Sequence, residues 1–141
     1  MISGSSAKRN RIGGMTVQLD TNSLAELVIP VSAVGDAIEQ WVSDGNELAT
    51  SAVAWSEFCN GPLTSEAREA AVISISGRVL PLDRAMAEKA AQLFNATGRR
   101  RGSHADCMIA ACAIISDAPL STLNLKDFER FIPIGLRLHV F

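Results

Sequence analysis

Short apolar runs of about five residues alternate along this chain with longer stretches whose apolar positions recur every three to four residues. The first short run covers residues 15–19 and ends on Asp20. Thr21, Asn22 and Ser23 follow, each able to cap a helix, and Ser23 with Glu26 fits an S-x-x-E capping box that predicts a helix over 23–28. Beyond Pro30, a stripe of Val31, Val34, Ile38, Trp41 and Val42 keeps helical spacing up to the Asp44-Gly45 stop signal, and reads as core. Residues 47–51 read as a second strand ending in hydroxyls that can cap a helix over 52–60. That helix carries Trp55, Ser56, Glu57 and Phe58, and Gly61-Pro62 closes it.

An Ala-rich amphipathic helix is expected over 64–74 and a short strand over 78–82. Asp83 caps the next predicted helix, which runs to Asn95 and stops at Gly98. Ser103 opens another, which contains Asp106 and an apolar run over 108–115. A strand at 119–122 follows, and the alternation over 136–140 reads as a half-buried edge strand. Strands alternating with helices predict an α/β fold, with an open, mostly parallel sheet and helices on both faces. Residues 15–141 read as one domain, and residues 1–14, rich in Gly, Ser and Arg without periodicity, as a flexible tail.

Composition narrows this picture. With 48% hydrophobic and 20% charged residues the chain is expected to fold rather than remain disordered. No apolar run approaches the ~18 residues of a membrane span, and the amino terminus lacks the apolar core of a signal peptide, so a cytoplasmic protein is expected. Cys59, Cys107 and Cys112 are too few and too unevenly spaced for a disulfide framework or a zinc site. His104 and His139 lack sequence neighbours for nucleophilic or zinc chemistry and are assigned structural roles. A net charge of −2 excludes nucleic-acid binding by bulk charge, leaving local groups such as Arg99, Arg100 and Arg101. Those three follow a predicted helix carboxyl end, where positive charge is favourable on structural grounds as well.

Three carboxylates carry the chemical interest. Asp20 ends the first strand, Glu57 lies in a helix that follows a strand, and Asp106 lies in the first turn of a helix. In a parallel sheet all three can converge at the carboxyl edge, where ligands bind. Clustered carboxylates repel and are costly to desolvate, so a cation normally compensates them. Mg²⁺, or Mn²⁺, suits such an oxygen-only site. Each acid has an alternative: Asp20 favours the following helix amino terminus, Asp106 completes an S-x-x-D capping box with Ser103, and Glu57 can be a solvated helix residue, although Trp55 and Phe58 beside it predict a mostly buried environment. Asp127 sits in a run with Lys126, Glu129 and Arg130 that reads as a solvated charge cluster.

Four motifs in order, L-D-T-N-S-L (19–24), S-E-F (56–58), H-A-D-C-M-I-A-A (104–111) and S-T-L-N-L-K-D-F (121–128), resemble the PIN-domain ribonucleases, and more narrowly the VapC toxins of bacterial toxin–antitoxin pairs. The resemblance covers about residues 17–131. It implies a three-layer PIN-like fold, with a short, mostly parallel sheet flanked by helices. It also implies a Mg²⁺-dependent endoribonuclease acting on structured RNA (tRNA or rRNA), silenced by a cognate antitoxin and assembled as a homodimer. In that pattern Asp20 and Asp106 are the principal metal carboxylates, Glu57 the acid between them, and Asn22 and Thr122 supporting polar residues. Where the family often has a fourth carboxylate this chain has Asn124, with Asp127 three positions later. Asn124 can position water but supplies no charge, so Asp127 is the acid available to substitute.

Two rivals follow from the same residues. Asp20-Thr21-Asn22 is similar to the D-x-D strand end of aspartyl-phosphate phosphatases, but lacks the second Asp. A catalytically silent module of the same fold, binding only RNA or protein, is the other; a retained acidic trio argues against it.

Overall fold

The computed structural model describes residues 14–141, so the flexible tail expected over 1–14 lies, Gly14 apart, outside the described residues. Four strands, β1 (Thr16–Leu19), β2 (Glu47–Ser51), β3 (Val79–Leu80) and β4 (Leu120–Ser121), form one sheet in the order β3-β2-β1-β4. Every pairing between them is parallel, with Val17 opposite Leu48, Leu19 opposite Ser121 and Ser51 opposite Leu80. Such short strands are stable in parallel only with both faces covered, and the alternation of their side chains shows how this is done.

Among the described residues seven α-helices supply the cover: α1 (Thr21–Leu27), α2 (Ala33–Ser43), α3 (Ala52–Asn60), α4 (Ser65–Ser74), α5 (Arg84–Ala96), α6 (His104–Ile115) and α7 (Leu125–Phe128), the last running into a 3₁₀ turn over Glu129–Ile134. Leu48 faces the side where Leu27 of α1, Val42 of α2 and Ser74 of α4 gather. Gln18, on the opposite face of β1, reaches α6, donating from Nε2 to the Cys112 carbonyl at 3.4 Å. The result is helix, sheet, helix in three layers around a core that includes Val17, Leu19, Leu24, Ile38, Ile109, Leu120, Phe128 and Phe131. No helix among the described residues is long and apolar enough to cross a membrane.

Several expected boundaries shift for local reasons. Asp20 itself caps α1, so the helix begins two residues before Ser23, and the Ser23–Glu26 box does not form. Ser23 is buried instead, bonded to the Ser121 carbonyl at 3.0 Å, and Glu26 accepts from Ser32 Oγ at 2.7 Å. Ser32 also caps α2, leaving Val31 outside the helix and 89% exposed rather than in its apolar stripe. The strands expected over 78–82 and 119–122 shrink to two residues each. The terminal edge strand is reduced to one parallel bridge between Leu120 and Leu138, because the chain reaches it from a 3₁₀ turn containing Pro133 and ending at Gly135 with φ of 118°.

Where α1 and α2 meet, Gly35 is required by space. A Cβ there would lie 2.5 Å from the Glu26 carbonyl oxygen and 3.3 Å from Ser32 Cβ. Gly35→Ala is therefore expected to lower stability by about 1–3 kcal/mol, the usual range for overpacking, as read from urea unfolding midpoints at constant slope.

Candidate active site

β1 and β4 are neighbours, yet the chain runs from β1 to β2 on one side of the sheet and reaches β4 on the other only after β3. Their carboxyl ends bracket the switch point, where diverging connections open a crevice. Asp20 follows β1 and Thr122 follows β4. Thr122 Oγ1 donates to Asp20 Oδ2 at 2.8 Å across this gap, while the Thr21 amide donates to Asp20 Oδ1 at 2.7 Å. One carboxylate thus caps α1 and also sits at the crevice, so the two roles that the sequence left open for Asp20 are compatible.

The other acids gather around it. Thr21 Oγ1 donates to Glu57 Oε1 at 2.7 Å, joining α3 to the amino end of α1. Glu57 is exposed, against the expectation of a mostly buried environment, because α3 turns Ala54 and Phe58 inward and leaves Glu57 at the rim. Trp55 does pack on Phe58, ring centroids 5.3 Å apart. Asp106 occupies the first turn of α6, with its side chain 35% exposed. No Ser103–Asp106 capping box forms; Ser103 Oγ donates to the Arg100 carbonyl at 2.7 Å instead.

Burial raises the Asp20 carboxyl above its ordinary value of 3.8; hydrogen bonds from Thr122 and Thr21 oppose this, and the charge of Glu57 adds to it. Asp106 is likewise raised, by burial first and then by the charge of Asp20, with Asp127 and Glu57 adding and Arg130 opposing. The four acids therefore share one electrostatic neighbourhood, in which full ionisation is unfavourable without a cation.

The supporting residues are arranged around the same gap. Asn22 Oδ1 accepts from the Leu123 amide at 3.0 Å, and Thr122 Oγ1 accepts from the Asn124 amide at 3.0 Å, tying the loop after β4 to the start of α1. Asn124 is exposed and Asp127 half-buried. Arg99, Arg100 and Arg101 lie in the turn between α5 and α6, all exposed. Arg99 bonds to Asn95 and lies over the Phe94 ring at 5.3 Å, so part of its role is to finish α5. The histidines pack: His104 stacks on Phe94 at 4.6 Å, and His139 lies 5.3 Å from the Trp41 ring.

Three features were not legible as site residues in the sequence. Thr21 and Ser23 look like ordinary caps, yet Thr21 bridges to Glu57 and Ser23 pins the Ser121 backbone behind Thr122. Arg130 is the larger correction. The charge run over 126–130 reads as solvated, but the Arg130 side chain is only 16% exposed and lies over the Phe131 ring at 4.4 Å, with Nη2 3.9 Å from Asp106 Oδ2. Its position between the buried rings of Phe128 and Phe131 is the signal that marks it.

Among the described residues no three Asp, Glu, His or Cys side chains form a ready-made metal cage. Mg²⁺ does not need one, since it typically takes one or two carboxylates and keeps several waters. The donors at the crevice are oxygens, and Asp20 and Asp106 each raise the cost of ionising the shared neighbourhood, so the residues fit a hard divalent cation. A separate cavity of about 400 Å³, lined by Met15, Thr16, Gln18, Arg78 and Pro119 among others, lies toward the amino ends of the strands, away from these carboxylates.

The chain matches the PIN domain family over residues 17–131. It is 32% identical over 120 residues to ribonuclease VapC10 of Mycobacterium tuberculosis, an alignment covering 82% of this chain and 87% of that protein. Its fold is similar to that of VapBC2 from Rickettsia felis, solved bound to a DNA fragment from its promoter, with a TM-score of 0.68 at 20% identity over 90% of this chain and 99% of the other. VapBC-1 from nontypeable Haemophilus influenzae gives a TM-score of 0.61 at 26% identity, covering 89% and 98%. With acids at the switch point of a four-stranded parallel sheet and this likeness over most of its length, the chain belongs to the PIN-domain family, in its VapC group.

Proposed function

We propose that the protein is a Mg²⁺-dependent endoribonuclease, the toxin of a toxin–antitoxin pair, with residues 15–141 as its nuclease domain. The observation that carries this is the convergence of Asp20, Glu57 and Asp106 at the switch-point crevice, two of them with raised carboxyl pKa values. The likeness to a ribonuclease VapC and to VapBC complexes supports both the activity and an antitoxin partner. Asp20 and Asp106 would hold the cation (Mn²⁺ being an alternative), with Glu57 as the third acid at the site. Asp127 and Asn124 complete its polar wall. When bound, the cation supplies Lewis acidity toward the phosphodiester and lowers the pKa of the attacking water. Thr122 and Thr21 hold the Asp20 carboxylate in one orientation, so no ordering cost falls on the reacting complex. Asn22 fixes the loop after β4, which keeps Thr122 in place.

The substrate in this reading is structured RNA such as tRNA or rRNA. A protein of net charge −2 needs local cations to hold it. Arg100 and Arg101, exposed before the helix that carries Asp106, and to a smaller extent Arg99, are the phosphate contacts we assign. Binding should then weaken steeply with salt. A cavity of about 340 Å³ lined by Leu27, Val42, Leu48 and Ser74, with Ile73 of α4 and Val31 before α2 exposed, is suited to an apolar antitoxin helix laid in a groove. The toxin would work in the cytoplasm as a homodimer.

The experiment is cleavage of a mixed tRNA and rRNA pool by protein freed of copurifying antitoxin, in Mg²⁺ and in EDTA. Discrete cuts in Mg²⁺ that vanish in EDTA are expected. RNA or antitoxin binding without any cutting would instead identify a silent module of the same fold.

A further inference from the structure

Arg130 holds a side-on pair of donors that no other group among the described residues uses. Nη1 donates to the Asp127 carbonyl, and Cζ of the guanidinium lies over the Phe131 ring, 4.4 Å from its centroid. Nε and Nη2, which together form the side-on edge that grips a carboxylate in two parallel hydrogen bonds, are buried and have no hydrogen-bond partner among the described residues. Buried donors without acceptors are costly, and more so when charged. The one carboxylate within ion-pair distance of this edge, among the described residues, is Asp106, whose Oδ2 lies 3.9 Å from Nη2. That gap is about 1 Å beyond a charge-assisted hydrogen bond. The Asp106 side chain is 35% exposed, which leaves it room to rotate toward this edge. The guanidinium is seated on the fully buried Phe131 ring and its side chain is only 16% exposed, so the moving partner is the acid.

We propose that Arg130 is a positioning residue for Asp106: its Nε–Nη2 edge takes Oδ2 and thereby turns Oδ1 toward the divalent cation. This rests on the reading of the crevice as a cation site. It runs against simple electrostatics, which makes it testable. As a bare positive charge beside the site, Arg130 would repel a cation, and its removal would tighten binding. As a positioning residue its removal weakens binding, because Asp106 must then be ordered by the cation itself. Losing an outer partner of a metal ligand commonly costs 10- to 100-fold in affinity.

The test is titration of metal-stripped, full-length protein with Mn²⁺ alone, followed by calorimetry and by loss of the free-ion electron paramagnetic resonance signal, with no RNA present. Arg130→Met is expected to raise the Mn²⁺ dissociation constant about tenfold. Arg130→Lys, which keeps the charge and stem but lacks the two-donor edge, should show a smaller loss. In the Asp106→Asn background Arg130→Met should add nothing, since the two act through one carboxylate. Unchanged or tighter Mn²⁺ binding by a folded Arg130→Met overturns the proposal. Should that variant not fold, wild-type affinity in Arg130→Lys overturns it instead. If Asp106→Asn binds Mn²⁺ as well as wild type, or wild type binds none, the cation site itself falls. If Asp106→Asn weakens binding and Arg130→Met does not, only the role of Arg130 falls.

Discussion

Asp20→Asn and Asp106→Asn should each lower RNA cleavage by at least ~100-fold, more than the loss typical of outer partners of a metal ligand. The substitution keeps shape and, at position 20, one of the two hydrogen bonds, since an Asn Oδ1 can still accept the Thr21 amide or the Thr122 hydroxyl. What it removes is charge. Hydrolysis of a phosphodiester needs that charge to hold the cation that makes the attack feasible, so the loss should fall on kcat and on the metal requirement rather than on RNA affinity. RNA retention on a filter should be near wild type for both variants, or stronger, because a negative charge has left a surface that meets phosphate. Asp127→Asn should cost less than either, because its effect on Asp106 ranks below those of burial, Asp20 and Arg130. Parallel single-turnover assays over a range of Mg²⁺ check all three. Cutting that survives in both principal variants and in EDTA would remove the metal mechanism.

Much of this was readable before the fold. The short apolar runs identify the strands because a parallel sheet with both faces covered calls for brief, nearly continuous apolar segments, here bounded by caps. Asp20 is legible because it stands where a strand gives way to a helix, at the carboxyl edge of a parallel sheet, and Glu57 because its helix directly follows a strand. Asp106 follows a helix and a turn, so its place in a helix's first turn is its only positional signal. Strand length was harder. β3 and β4 are two residues long because each pairs along only part of its apolar run, and a one-dimensional pattern does not record where a neighbour stops. The capping boxes misled for a related reason. Ser23 and Ser103 have the right spacing for caps, yet other partners claim their hydroxyls: the distant Ser121 carbonyl for Ser23, and for Ser103 the Arg100 carbonyl of the preceding turn. Arg130 shows packing overriding local pattern with a charge. A run of Lys, Asp, Glu and Arg is solvated on average, but the Arg130 guanidinium lies over the fully buried Phe131 ring and its side chain is only 16% exposed. Local chemistry predicts what a residue can do, and packing selects which of those things it does.

The same carboxylates should make metal-free protein less stable as pH rises and more dependent on divalent cation. Asp20 and Asp106 both have carboxyl pKa values above the ordinary 3.8 in the folded state. The folded state then binds protons more tightly than the unfolded chain. Their contribution is fully present below the unfolded value and is lost as pH rises through the raised folded values. In EDTA, thermal melts from about pH 4 to about pH 7 should therefore lose stability in wild type relative to Asp106→Asn, which lacks one titrating group and relieves the repulsion with Asp20, Asp127 and Glu57. At neutral pH Asp106→Asn should be the more stable protein without metal, the usual relation where a site is strained for function. Adding Mg²⁺ reverses the order. At about 100 times its dissociation constant a ligand contributes about 2.7 kcal/mol, or roughly 8 °C in Tm for a domain of this size. The shift should grow as pH rises and the acids ionise, and should shrink toward acid pH as protons compete for the same oxygens. Equal Mg²⁺ shifts in wild type and Asp106→Asn would place the cation elsewhere, and a wild-type Tm indifferent to Mg²⁺ at every pH would mean that proton uptake alone relieves the crowding of these four acids.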